Sequence, residues 1–112
     1  MKTNELLKGT IKTILLNLLA EQGRMYGYEM VQKVRQQSAG AFELTEGALY
    51  PALHKLEASG LLTTEKVHIG KRVRKYYRLT PAGAKARETK VSEFAEFVRS
   101  MQLLLNPKPA AG

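Results

Sequence analysis

The residues with the plainest chemical purpose are the cations between positions 61 and 79. Six basic side chains share that stretch with one acid, Glu65, a net charge of +5. The 60 residues before it carry a net +1 and the 33 after it a net +2, so most of the chain's +8 is concentrated in one short segment. A cationic patch of this kind suits a polyanion, because each Lys or Arg that meets a phosphate releases a condensed counterion. Lys71, Arg72 and Arg74 are the leading candidates for phosphate contact. Lys75 should face the other side of its strand from Arg74 and ranks lower. The bland alternative is a solvated charged hairpin, and the near absence of compensating acid weighs against it.

Other chemistry finds no support. The chain has no cysteine, which removes disulfides, cysteine zinc sites and thiol catalysis. His54 and His68 have no acids at ligand spacing, so no metal is expected. Neither a nucleophile with its base nor a glycine-rich phosphate loop is present, and neither catalysis nor a cofactor is expected.

These cations need elements to hold them. Leu7, Ile11, Ile14, Leu15, Leu18 and Leu19 recur at helical spacing and predict a first helix from Asn4 to Gln22, closed by Gly23. A second, shorter helix runs to Gln37, with Tyr28, Val31 and Val34 inward. Thr45 is a ready N-cap for a third, whose Leu49, Leu53 and Leu56 form the buried stripe and whose stop is Gly60. Pro51 falls inside it, where an interior proline costs about 3 kcal/mol; propensity alone leaves open whether this helix starts near Tyr50 or kinks. Leu61–Lys66 and Val73–Leu79 read as strands joined around Gly70. Thr80 caps a final helix with Pro81 in its first turn. Three helices, a basic hairpin and a long helix describe a mainly α winged helix-turn-helix. Residues 1–80 would form the DNA-binding domain, 81–106 a dimerisation helix and 107–112 a flexible tail.

Length and hydropathy agree with a single domain. At 112 residues there is room for one core. Lys2, Lys8 and Lys12 ahead of an apolar run superficially suggest a signal peptide, but Glu5, Asn17 and the helical spacing argue against one. No apolar run approaches the roughly 20 residues that span a bilayer. A cytoplasmic protein without a membrane partner is expected.

Four stretches, in order and at matching spacing, make the chain resemble the PadR-like transcriptional regulators. They are Tyr26-Gly27-Tyr28-Glu29, Gly47-Ala48-Leu49-Tyr50-Pro51-Ala52-Leu53, Leu56-Glu57-Ala58-Ser59-Gly60-Leu61, and Arg74-Lys75-Tyr76-Tyr77-Arg78-Leu79-Thr80-Pro81-Ala82-Gly83. The resemblance covers residues 7–84, and the single long C-terminal helix is similar to that of the small subtype. It implies a winged-helix dimer that represses a promoter at a pseudo-palindromic operator in double-stranded DNA. It also implies that the third helix continues through Pro51 and reads the major groove, which makes Thr45, Gly47, Tyr50, His54 and Lys55 the candidate contacts.

The last helix carries a separate expectation. Val91, Phe94, Val98, Met101 and Leu105 alternate three- and four-residue steps, a heptad-like seam suited to a second copy. Phe94, Phe97, Val98 and Met101 are candidates to line a cavity for a small aromatic effector, as the resemblance implies for some relatives. The absence of Trp speaks against a site of stacked tryptophans. The competing reading is a protein-interaction module whose last helix engages a heterologous partner.

Overall fold

The computed structural model describes residues 5–106. The notional tail, 107–112, lies outside them. The order of elements is α1 (Glu5–Lys8), α2 (Ile11–Gln22), β1 (Arg24–Tyr26), α3 (Gly27–Gln37), α4 (Glu46–Ala58), β2 (Leu62–Ile69), β3 (Arg72–Leu79) and α5 (Pro81–Leu105). This is a winged helix-turn-helix with a long C-terminal helix, as the sequence predicts.

Leu7, Ile11, Leu15, Leu18 and Leu19 are buried together, but their shared period hides a break. The Thr10 hydroxyl and amide both donate to the Leu7 carbonyl, turning the chain between α1 and α2. The expected single helix from Asn4 is therefore two. In α3 the inward positions are Met30 and Val34, with Val31 partly buried, while Tyr28 is 63% exposed. Expecting Tyr28 inward put the helix face out of phase; the flexible Met30 fills the core instead.

α4 begins at the expected cap, with Thr45 Oγ1 accepting from Ala48 N–H at 3.2 Å. It runs unbroken through Pro51. Proline withholds one donor, but Pro51 and Gly47 both face solvent, where water can take the carbonyl that it leaves. Leu49, Ala52, Leu53 and Leu56 point into the core.

The sheet has three antiparallel strands in the order β1-β3-β2. β2 and β3 extend further than expected, pairing as far as Ile69 with Arg72, so the loop is only Gly70 and Lys71. Gly70 has φ 61°, the left-handed value that the first central position of a type II′ hairpin demands. Short β1 pairs Met25 with Tyr77, and both side chains are buried. Burial pushes the Tyr77 phenol up from its ordinary pKa.

α5 docks by its N-terminal half. Thr80 Oγ1 accepts from Gly83 N–H at 3.0 Å and donates to the Gly60 carbonyl at 2.7 Å. Gly83 lies so close to the Leu61 carbonyl that a Cβ there would collide with it. Farther on, Arg87 donates twice to Asn17 Oδ1, at 2.9 and 2.7 Å, tying α5 to α2.

Candidate nucleic-acid interface

Thr45, Gly47, Tyr50, His54 and Lys55 are all exposed and lie along one side of α4. Leu49 and Leu53, on the opposite side, anchor the helix in the core and fix that orientation. The Tyr50 and His54 rings sit 6.4 Å apart at 40°. Tyr50 also lies over Gly27 at the start of α3, leaving no space for a Cβ at Gly27. The groove between α3 and α4 thus holds Tyr50 beside Gly27 and Tyr28.

The hairpin presents the charge. Lys71 occupies its tip and Arg72 opens β3, and both are exposed. Arg74 stands differently: its guanidinium carbon is 4.2 Å from the centre of the Tyr26 ring. The Tyr76 hydroxyl beside it holds its pKa above the usual arginine value. Arg24 sits likewise 4.2 Å over the Tyr76 ring, and the two tyrosines meet edge to face at 5.5 Å. Arg74, Tyr26, Tyr76 and Arg24 form a stacked ladder on one face of the sheet. Stacked arginines keep their in-plane N–H donors available.

Lys75, on the other face, lies over Tyr77 and 3.8 Å from Glu57 of α4. Arg78 and Arg24 share Glu65, at 3.8 and 3.0 Å. Three of the segment's cations thus take part in intramolecular contacts with Glu57, Glu65 or an aromatic ring. No ion pair among the described residues involves Lys71 or Arg72. The sequence reading missed Arg24 and Tyr26 in this ladder. Their signal was a basic–aromatic alternation only three residues long, which acquires meaning once β1 pairs with β3.

The seam residues Val91, Phe94, Val98, Met101 and Leu105 run along α5; Phe94, Val98 and Leu105 are exposed and Val91 and Met101 partly covered. Leu103 and Leu104 are each 78% exposed. Of the four effector candidates, Phe94 and Phe97 line an apolar groove of about 570 Å³ with Leu6, Ile14, Phe42 and Val91. Val98 and Met101 lie outside it, farther along α5.

Among the described residues no cluster of His, Cys, Asp and Glu could hold a metal ion, and no helix is long and apolar enough to cross a membrane.

Known proteins share both sequence and shape with this chain. The profile of the transcriptional regulator PadR-like family matches residues 15–89. A transcriptional regulator of Mycobacterium tuberculosis is 39% identical over 67 residues, 60% of this chain and 60% of that protein. The solved structure of a transcriptional regulator from Clostridium thermocellum has a TM-score of 0.81 at 29% identity, covering 91% of this chain and 96% of the other. A PadR family transcriptional regulator from Eggerthella lenta gives 0.80 at 28% identity, over 93% of this chain and 88% of the other.

Proposed function

This chain belongs to the transcriptional regulator PadR-like family, a family of DNA-binding regulators rather than enzymes, and from that premise we propose that it is a homodimeric repressor acting in the cytoplasm on a pseudo-palindromic operator. Residues 1–80 serve as the DNA-binding domain and 81–106 as the dimerisation helix. Thr45, Gly47, Tyr50, His54 and Lys55 enter the major groove, while Lys71, Arg72 and Arg74 take phosphates. The observation that carries this reading is the pairing of an exposed, capped α4 face with a net +5 hairpin beside it. An α-helix fits the major groove, where base edges carry a distinct donor and acceptor pattern.

Dimerisation is supported by the exposed apolar residues of α5 and by the groove beside Phe94 and Phe97. A two-fold dimer would set its half-sites about 34 Å apart. Repression is what the family resemblance implies. A small apolar or aromatic effector would enter between the copies, against Phe94 and Phe97, with Val98 and Met101 facing it from the seam.

Selection of duplexes from random DNA tests the proposal. The expected product is an inverted repeat with half-sites one helical turn apart, and transcription in vitro from a promoter carrying it should fall on adding protein. Replacing Lys71 and Arg72 with Ala should weaken binding and reduce the slope of log K against log salt by about two. Failure to enrich any sequence, from a protein that sediments as a monomer, would overturn the reading.

A further inference from the structure

The flank of α4 that faces away from the sheet carries a second concentration of charge. A cleft of about 840 Å³ opens there between α4 and the α1–α2 turn. Among the described residues four lysines line it: Lys8 from α1, Lys12 from α2, Lys55 from α4 and Lys90 from α5, beside Thr45 and Gly47. No acid lines it. Lys8, Lys12 and Lys55 are exposed and Lys90 is half-buried. None of the four joins an ion pair among the described residues, where Arg24, Arg35, Lys75, Arg78 and Arg99 do. Like charges drawn from four separate elements into one cleft repel one another, and a bound anion relieves that repulsion.

We propose that this cleft is a second phosphate-binding site, in which Lys8, Lys12 and Lys90 hold the backbone strand on the lip of the major groove opposite the hairpin. The inference rests on the DNA-binding reading above and adds residues to it. A helix with its side chains is about 10–12 Å across, and the major groove is about 12 Å wide. A helix seated in it therefore brings both flanks against sugar–phosphate walls. The sheet side of α4 meets Lys75 through Glu57, with the hairpin beyond. Gly47, Pro51 and Lys55 give onto the lysine cleft on the other side. Lys8, Lys12 and Lys90 belong to elements other than the reading helix, so the part proposed for them is positional and independent of sequence.

The experiment measures binding of the full chain to its selected duplex and to a scrambled duplex across a KCl series. It compares Lys8→Gln/Lys12→Gln, the same pair with Lys90→Gln, and Lys71→Ala/Arg72→Ala, with thermal unfolding as the control for folding. The cleft variants should reduce the salt slope by about two and about three, at roughly 0.9 per phosphate. They should weaken both duplexes by the same factor. Ethylation interference should lose one set of phosphates with the cleft variants and a different set with the hairpin variant. If the cleft variants keep the wild-type slope while the hairpin variant does not, the cleft is no phosphate site and the DNA-binding reading stands. A collapse of selectivity rather than uniform weakening also overturns the proposal. Should neither set of variants change the slope, the DNA-binding reading itself fails.

Discussion

From Leu7 to Tyr77, apolar side chains of the helices and the sheet close around one another in a single buried cluster. α5 treats comparable residues in another way: it has 25 residues, of which only Gly83 is fully buried, while Phe94, Phe97, Val98, Leu103, Leu104 and Leu105 are exposed. The winged-helix head meets its packing requirement within the chain. The far half of α5 leaves most of its apolar seam uncovered, and in the proposed homodimer a second copy would cover it. Fold stability and assembly should accordingly be separable by mutation.

The largest expected effect breaks assembly alone. Val98→Glu with Met101→Glu would set two charges in the seam, and an unpaired buried charge costs about 3–5 kcal/mol. The dimer dissociation constant should rise at least about a hundredfold, since each 1.4 kcal/mol is tenfold. Sedimentation equilibrium reads this directly, and operator affinity should fall with it. Circular dichroism of the head should stay as in the wild type. A variant that still sediments as a dimer would place the interface elsewhere.

Next in size is the joint between the two regions. Gly83→Ala directs a methyl group at the Leu61 carbonyl, a backbone atom that cannot swing away. Overpacking of this kind costs about 1–3 kcal/mol. Thermal unfolding should shift down by several degrees, while the variant that does fold should still dimerise. An unchanged transition would mean that α5 docks less tightly than the contact between Gly83 and Leu61 implies.

A smaller effect separates stability from recognition inside the head. Gly27→Ala meets the end of the Tyr50 side chain, which can rotate aside at little cost in stability. That motion takes Tyr50 out of its place on the α4 surface. Operator affinity should fall up to about tenfold, or 1.4 kcal/mol, with unfolding nearly unmoved. Fluorescence anisotropy against the selected duplex checks the first part and calorimetry the second. Full affinity would remove Tyr50 from the interface.

How much of this was legible in the sequence depended on the range of the determining contact. Thr45 and Thr80-Pro81 announced their helices because a cap acts within three residues, and both threonines accept from the backbone as expected. The break at Gly9-Thr10 was hidden because Leu7 and Ile11 stay in helical phase across it and are both buried. The set Tyr28, Val31 and Val34 points Tyr28 inward, whereas Met30 holds the core position and Tyr28 is exposed. β1 is not legible in the sequence because three residues carry no period; its identity comes from β3, with Arg24 opposite Arg78. At the candidate interface the hairpin cations were visible as charge. The stacking of Arg74 on Tyr26 depends on that same long-range pairing and was not. Lys8, Lys12 and Lys90 were scattered along the sequence and met only when α1, α2 and α5 converged on α4.

The least disruptive change tests the head at one atom. Thr45 Oγ1 caps α4 and is exposed at the edge of the lysine cleft. Thr45→Ala removes the acceptor for the Ala48 amide, and losing a threonine cap costs about 1 kcal/mol. Thr45→Ser keeps the oxygen and should restore most of that stability. If the hydroxyl serves only the helix, DNA affinity should follow stability in both variants. If it also donates to a phosphate, Thr45→Ala should lose affinity beyond its stability loss, measured well below the unfolding transition, while Thr45→Ser keeps it. We expect the second pattern, because Thr45 lines the lysine cleft proposed to take the phosphate strand.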